Sequence, residues 1–162
     1  MKQNWVIDAS PLIILGKADL LKTVSALATC WFIPEEVIQE VSRKSAMEPF
    51  LAQLAEHAEV KCAKVPVIEP LVTHWNLDDG ESEVITLALK NQDYGVVLDD
   101  LQARKCTTVL NLPLIGSLGL IAKAKKDGLL EVAKPAFTKL IASGLYIDKH
   151  LIEKVLTSLG EK

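Results

Sequence analysis

Three aspartates follow apolar stretches of the chain, at places where short buried strands would end. Asp8 comes directly after residues 5–7 (WVI), and Asp99 and Asp100 come directly after residues 94–98 (YGVVL). Because a doubly wound parallel sheet binds ligands at the carboxyl ends of its strands, we expect these acids to lie close together. Asp8 could also be a turn or capping residue, but Ser10 already suits the N-cap. Asp100 could also be the N-cap of a helix over residues 101–110.

Glu81 lies near the start of a predicted helix and has two interpretations. It extends the apolar stripe of residues 84, 85 and 88, which indicates that its side chain points inward. It also stands three residues after Asp78, so the two fit a capping box, in which the glutamate only satisfies the N-cap amide. The spacing does not choose between these interpretations.

Two further glutamates lie on predicted helices. Glu40 borders the apolar face of the helix that follows Pro34, and its position alone is typical of a surface residue. Glu83 falls on a different face from Glu81, and we predict that it is solvated.

Several carboxylates gathered at one place would repel each other, raise one another's pKa values and destabilise the fold. A hard divalent cation with oxygen ligands, Mg²⁺ or Mn²⁺, removes that conflict. Such a cation can also activate water for attack on a phosphodiester. The acids therefore favour metal-dependent hydrolysis, with either one or two metal ions.

The elements that would position these acids form an alternating pattern. Apolar runs separated by helix-period segments predict an α/β fold with a mainly parallel sheet. The predicted strands are residues 5–7, 94–98 and 112–115, with a weaker candidate at 30–33. Helices are predicted to begin at Ser10-Pro11 and at Ile33-Pro34, and another to run from Ser117 to a stop at Gly128. Residues 135–159 predict two amphipathic helices, split by residues 143 and 144, that pack as a pair.

Length and composition limit the class of protein. The 162 residues fit a single domain over residues 1–162. With 49% hydrophobic residues the chain is too apolar to be disordered, and a net charge of −3 excludes the basic excess of a general nucleic-acid binder. A nucleic-acid partner would therefore have to be held by local basic clusters and a metal ion.

Cysteines, histidines and hydropathy point to an intracellular protein without a Cys/His site. Cys30, Cys62 and Cys106 are far apart and are predicted to be buried in a reducing compartment, while the three histidines are scattered. The start of the chain lacks the apolar region of a signal peptide, and no apolar stretch is long enough to span a bilayer. We expect a cytoplasmic protein with no membrane association.

Five segments in order along the chain resemble the PIN-domain family, in particular its small prokaryotic branch, which includes toxins of the VapC kind. The segments are residues 8–13 (DASPLI), 33–40 (IPEEVIQE), 77–81 (LDDGE), 98–104 (LDDLQAR) and 116–119 (GSLG). Each segment is a weak signal alone, but the ordered set is specific.

The resemblance implies a Rossmann-like three-layer α/β/α sandwich that binds Mg²⁺ or Mn²⁺ and hydrolyses single-stranded RNA. It implies that Asp8, Glu40, Glu81 and Asp100 are catalytic and hold the metal, with Asp99 as a second-choice ligand. Two positions depart from the family pattern. Glu81 stands where better-known relatives have aspartate, and Leu98 stands where many have threonine.

The resemblance also suggests how substrate is bound. Ser10 matches a small polar residue that helps to hold the metal site, although an N-cap role would explain it. Arg104 follows Asp100 by four residues and could grip a phosphate, or be a solvated residue paired with an acid. Lys123, Lys125 and Lys126 form a basic patch that either contacts RNA or serves solubility.

The family also predicts partners: a small antitoxin protein and a second copy of the chain in a homodimer. Two other functions compete with the endoribonuclease. One is a PIN-fold module that has lost activity and only binds nucleic acid or protein. The other is phosphoryl transfer of the haloacid-dehalogenase or receiver type, which is disfavoured because residues 8–10 (DAS) lack the D-x-D of the former and no suitable lysine is evident for the latter.

Overall fold

A computed structural model describes residues 2–162 and contains one five-stranded sheet in which every neighbouring pair of strands is parallel. The spatial order is β3-β2-β1-β4-β5. The strands are β1 (Gln3–Ile7), β2 (Ala28–Pro34), β3 (Glu59–Ala63), β4 (Tyr94–Val97) and β5 (Leu114–Ile115). Helices flank the sheet, so the predicted three-layer α/β/α fold is confirmed.

The helices fill the connections between strands and the end of the described chain. They are α1 (Ala9–Lys17), α2 (Leu21–Ser25), α3 (Glu35–Lys44), α4 (Met47–Leu54), α5 (Pro70–Thr73), α6 (Asp79–Leu89), α7 (Leu101–Val109), α8 (Ser117–Lys126), α9 (Lys134–Ala142) and α10 (Lys149–Ser158). Within residues 2–162, none of them is long and apolar enough to cross a membrane.

The strand order reverses beside β1. The chain builds outward from β1 to β2 and β3, then returns to the other side of β1 to build β4 and β5. The backbone N–H of Asp8 donates to the carbonyl oxygen of Val97 at 3.1 Å, so the ends of β1 and β4 are tied together. This is the topological switch point at which open α/β sheets bind ligands.

The strand predictions were right in position and incomplete in number. The weak candidate at residues 30–33 is the centre of β2, whereas β4 ends one residue earlier than predicted and β5 keeps only the last two residues of its predicted range. β3 was missed because it is an edge strand with exposed Glu59 and Lys61, so it lacks the apolar run of a buried strand. For the same reason Cys62, which lies on β3, is exposed rather than buried as predicted, while Cys30 and Cys106 are buried.

Two helices begin earlier or later than predicted. Ser10 is not an N-cap: the extended backbone ends at Asp8 (φ −83°, ψ 167°), so α1 begins at Ala9 and Ser10 is an exposed residue of its first turn. Pro11 is tolerated there because the first turn has no intrahelical partners for its N–H groups.

Pro34 is itself the N-cap of α3 rather than its first helical residue. α8 runs from Ser117 to Lys126, and Gly128 follows with φ +80°, as predicted.

Glu83 was predicted to be solvated, but its side chain is half-buried. Its Oε1 accepts a hydrogen bond from the backbone N–H of Glu36 at 3.2 Å, so it satisfies a free amide at the start of α3. Partial burial raises the pKa of the Glu83 carboxyl. The single-domain extent and the packing of α9 and α10 as a pair stay predictions.

Candidate active site

A pocket of about 300 Å³ lies at the switch point and is lined mainly by acids. The five acids predicted from the sequence all reach it, and Asp78 joins them. Its lining comprises Asp8, Ser10, Ile14, Glu40, Asp78, Glu81, Asp99, Asp100 and the segment of residues 144–146. The structure therefore brings together carboxylates from the ends of β1 and β4 and from the helices α3 and α6.

Asp8 is the most deeply buried of these acids, with 4% of its surface exposed. It occupies the N-cap position of α1, yet its side chain makes no capping hydrogen bond. Burial raises the pKa of Asp8 well above its usual value, and the nearby charges of Glu81, Asp78 and Glu40 raise it further, against a lowering by the amide of Ala9. A buried carboxylate of this kind, which no cation neutralises within residues 2–162, favours binding a positive ion.

Glu81 points inward, as its apolar stripe indicated, and is 8% exposed. The capping box is only half formed. Asp78 Oδ1 accepts from the Glu81 backbone N–H at 2.8 Å, but within residues 2–162 the Glu81 side chain makes no hydrogen bond in return. Burial, with the charges of Asp78 and Asp100, raises the pKa of Glu81 to about 7. Its carboxyl therefore faces the pocket rather than serving the helix end.

Glu40 reaches the pocket from α3 because α6 approaches closely at Gly80. A Cβ added to Gly80 would lie 3.2 Å from Glu40 Oε1 and 3.6 Å from Asp78 Oδ1. Because glycine has no side chain, both carboxylates fit beside α6. The other oxygen, Glu40 Oε2, accepts from Lys44 Nζ at 3.3 Å, one helical turn away. Glu40 is thus partly neutralised and more exposed than Asp8 or Glu81, with 25% of its side chain accessible.

Asp99 and Asp100 have different hydrogen-bond partners. Both oxygens of Asp99 accept from Ser117: Oδ1 from the backbone N–H at 2.8 Å and Oδ2 from the hydroxyl at 2.5 Å. Asp100 is the N-cap of α7, and its Oδ2 accepts from the backbone N–H of Ala103 at 3.0 Å. The capping interpretation of Asp100 is therefore correct, but its Oδ1 accepts no hydrogen bond within residues 2–162.

Ser10 and Arg104, the two residues predicted to bind substrate, have different surroundings. Ser10 is exposed at the pocket, where it forms no hydrogen bond within residues 2–162. Arg104 Nη1 donates to the carbonyl oxygen of Leu98 at 2.9 Å, and no ion pair joins Arg104 to an acid in this part of the chain. Its guanidinium is consequently fixed beside the end of β4.

The predicted basic patch is mostly engaged elsewhere. Lys125 Nζ is hydrogen-bonded to Glu161 Oε2 and to the carbonyl oxygen of Leu159, and Lys123 pairs with Asp127 at 3.7 Å. Of the three lysines, Lys126 alone forms no ion pair within residues 2–162. Lys125 serves the packing of the C-terminal segment, not a free basic surface.

Three parts of the pocket lining were not predicted from the sequence: Ile14, Asp78 and residues 144–146. Asp78 was explained completely by its capping role, although its second oxygen remains free of hydrogen bonds within residues 2–162. Residues 144–146, in the connection between α9 and α10, also line the pocket, and no motif in the sequence marks them. Tyr146 is fully exposed there.

The donor set fits a hard divalent cation. Six carboxylates supply oxygen ligands, two of them buried without a positive partner, and Mg²⁺ and Mn²⁺ prefer such ligands. Within residues 2–162, no three acidic, histidine or cysteine side chains already surround a common point as a complete ligand set.

Comparison with known proteins agrees with this geometry. Residues 4–161 match a family model described as a PIN domain. No curated protein sequence matches the chain significantly. Among solved structures, the chain is similar to a PilT N-terminus domain protein from the hyperthermophilic archaeon Sulfolobus solfataricus P2. The TM-score is 0.55 and the identity 19%, covering 75% of this chain and 92% of the other. At that identity the similarity shows a shared fold.

The chain belongs to the PIN-domain family, as its five segments predicted. The PIN domain is generally a nuclease fold whose members usually depend on divalent metal ions. Membership of this family supports a hydrolase in general.

Proposed function

We propose that this protein is a Mg²⁺- or Mn²⁺-dependent endoribonuclease that hydrolyses phosphodiester bonds of single-stranded RNA. The observation that carries the proposal is the pair of buried carboxyls, Asp8 and Glu81, which face a shared acidic pocket with raised pKa values and no cation partner within residues 2–162. Such a pair costs stability unless a ligand compensates for it. Structural acids are usually paired, so this arrangement favours function.

Asp8, Glu40, Glu81 and Asp100 would hold the cation, with Asp99, whose oxygens accept from Ser117, as a second-choice ligand. When bound, a divalent cation lowers the pKa of the attacking water and stabilises negative charge on the leaving oxygen. Burial raises the pKa of Asp8, and it raises the pKa of Glu81 to about 7, so the Glu81 carboxyl is partly protonated near neutral pH and metal binding would release that proton. Arg104 would orient a phosphate beside Asp99, and Ser10 would contact the strand at the pocket rim.

Cleavage of a labelled single-stranded RNA in Mn²⁺ tests the proposal. Asp8→Asn should lower the rate by at least about 100-fold, since even residues that only support metal ligands cost about 10–100-fold. Asp19→Asn is the matched control: Asp19 is exposed, lies outside the pocket and has φ 57°, which asparagine tolerates. Metal-supported cleavage that persists in Asp8→Asn, or a wild-type protein inactive in both Mn²⁺ and Mg²⁺, would contradict the proposal.

The second candidate is a PIN-fold module that binds nucleic acid or protein with weakened catalysis. The hydrogen bonding of Asp99 and Asp100 favours it, because three of their four oxygens already accept from backbone or Ser117 donors. Calorimetry separates the two functions. A module without catalysis should bind Mn²⁺ weakly or not at all, whereas the nuclease should bind it with release of protons.

The toxin role, the antitoxin partner, the homodimer and the cytoplasmic location rest on the family resemblance and the sequence. They stay predictions. Growth arrest on expression of the wild-type protein, relieved by Asp8→Asn, supports the toxin role, and harmless overexpression of active enzyme contradicts it. Light scattering of the purified protein tests the homodimer.

A further inference from the structure

A second concave surface is lined by Arg104, which is not among the residues that line the acid pocket. This groove has a volume of about 500 Å³ and is formed by the exposed face of α7, Trp75 in the segment after α5, and Leu114 of β5. It is largely apolar, with two cations in its wall. The residues that matter here are Trp75, Leu101, Arg104, Lys105, Val109 and Leu114.

The exposed face of α7 has an unusual composition. Leu101, Arg104, Lys105, Thr108 and Val109 recur at helical spacing on this face, while Ala103, Cys106 and Thr107 point into the core. Leu101 and Val109 are 68% and 65% exposed. The exposed face of α7 therefore has an apolar side chain at each end and the two cations, Arg104 and Lys105, between them. Lys105 forms no ion pair within residues 2–162.

Arg104 connects the groove to the acid pocket. A Cβ at Gly116 would lie 2.7 Å from Arg104 Nη1 and 2.9 Å from Asp99 Oδ1, so the guanidinium and the carboxylate flank the same small residue. Asp99 lines the acid pocket and Arg104 lines the groove. A polymer chain lying across Gly116 would contact both.

The chemistry of the groove suits a nucleotide better than an apolar peptide. An apolar partner would desolvate Arg104 and Lys105 without neutralising them, which costs free energy. A phosphate neutralises both, and an aromatic side chain such as Trp75 offers a base a surface on which to stack. With a net charge of −3 and six acids in the neighbouring pocket, an RNA strand needs such local cations.

We propose that this groove is a nucleotide subsite of single-stranded RNA, next to the acid pocket. The base packs on Trp75 between Leu101 and Val109, and its phosphate contacts Arg104 and Lys105. The inference rests on the proposed function, because it names how the same site holds its substrate. It assigns to this chain a place for the strand outside the acids themselves.

Tryptophan fluorescence gives a readout that needs no cleavage. Trp5 and Trp31 are 6% and 0% exposed, whereas Trp75 is half-buried in the groove wall. Titration of the full chain in EDTA with oligouridylate should therefore quench mainly Trp75. The quenching should be absent in Trp75→Phe, which keeps an aromatic ring and should keep most of the affinity, measured by anisotropy of labelled RNA.

Lys105→Glu should weaken RNA binding at least about tenfold and reduce the salt dependence of binding, since it removes a phosphate contact. Trp75→Ala should weaken it by a similar factor through lost stacking. Lys22→Glu, an exposed charge reversal on α2, makes the same change in net charge and should leave affinity nearly unchanged. Circular dichroism checks that each variant folds. If Trp75→Ala does not fold, Lys105→Glu still tests the proposal.

The outcomes separate this inference from the proposed function. If Lys105→Glu binds RNA like Lys22→Glu while cleavage still depends on Asp8, the subsite is wrong and the nuclease stands. If the wild-type protein neither binds nor cleaves RNA, both fail. If Lys105→Glu or Trp75→Ala instead changes the molar mass in light scattering, the groove is a protein interface and the subsite is overturned.

Discussion

Ser117 donates two hydrogen bonds to Asp99, one from its backbone N–H and one from its hydroxyl, at 2.8 and 2.5 Å. Ser117 is fully buried at the start of α8, so this contact joins the end of β4 to that helix. Asp99 is thereby fixed as a structural partner, whereas Asp100 keeps one oxygen free.

This difference predicts opposite effects at neighbouring positions. Asp100→Asn should change the free energy of unfolding by less than about 1 kcal/mol, because asparagine caps helices as well as aspartate does, yet it should weaken Mn²⁺ binding. Asp99→Ala should destabilise the fold by about 1–3 kcal/mol, because it leaves buried donors of Ser117 without a partner. Urea unfolding and calorimetry measure the two effects. If Asp99→Ala alone lowered Mn²⁺ affinity, Asp99 would be the ligand.

The raised pKa of Glu81 predicts how metal-free stability depends on pH. The folded protein binds the Glu81 proton with a pKa of about 7, well above the 4.5 of an unperturbed glutamate, so ionisation opposes folding. Relative to Glu81→Gln, the wild-type protein should lose stability as pH rises from about 4.5 to 7 and then level off. Urea unfolding of both proteins in EDTA at pH 5 and pH 8 measures this. If the difference in unfolding free energy between the two proteins were the same at pH 5 and pH 8, the pKa of Glu81 would not be raised by folding.

Gly116 predicts a steric test of the contact between the acid pocket and the groove. Its φ of −104° is ordinary, so Gly116→Ala has no backbone strain, but the new Cβ would collide with Arg104 and Asp99. We expect a loss of about 1–3 kcal/mol of stability, typical of overpacking. In the double variant with Arg104→Ala, part of that loss should be recovered. Strictly additive effects in this double-mutant cycle would mean that Arg104 does not crowd this position.

Glu161 predicts a stabilising contact far along the chain. Its Oε2 accepts from Lys125 Nζ and from the Ala133 backbone N–H, and its Oε1 accepts from the Lys134 N–H. The hydrogen bond with Lys125 lowers the pKa of Glu161 to about 2. The ionised form therefore adds stability above pH 4.5 that is lost as pH falls toward 2.

Glu161→Gln should consequently lower the melting temperature at pH 7, and the difference from wild type should shrink between pH 4 and pH 2.5. Glu153→Gln, an exposed residue of α10 without an ion pair within residues 2–162, is the control and should melt like wild type. Equal melting temperatures of Glu161→Gln and wild type at pH 7 would show that this contact contributes nothing.

The sequence was most informative where local chemistry and topology coincide. Asp8 and the Asp99-Asp100 pair could be located because strand ends are visible as the ends of apolar runs. The spacing around Glu81 left an inward carboxyl and a capping box equally open, and the family pattern chose between them. Glu40 was identified through the family pattern, since nothing in α3 itself shows that α6 lacks a side chain at Gly80 opposite it.

The remaining parts depend on tertiary contacts that local patterns do not contain. Asp78 was already explained by its cap, so its second oxygen gave no signal. Residues 144–146 are distant in sequence from the acids with which they line the pocket, and no local pattern indicates that contact. β3 was not predicted because it is an edge strand, paired on one side only, whose exposed polar side chains break the apolar run of a buried strand.

The character of β3 also governs how copies of this molecule can associate. Glu59 and Lys61 form an exposed ion pair at 3.6 Å along this edge, and β5 at the opposite edge is only two residues long. Edge strands that are charged or very short do not readily pair with a strand from another molecule. Lateral extension of the sheet into a neighbour, and with it fibre growth from the native state, is therefore disfavoured. Assembly of native copies is directed to helical surfaces.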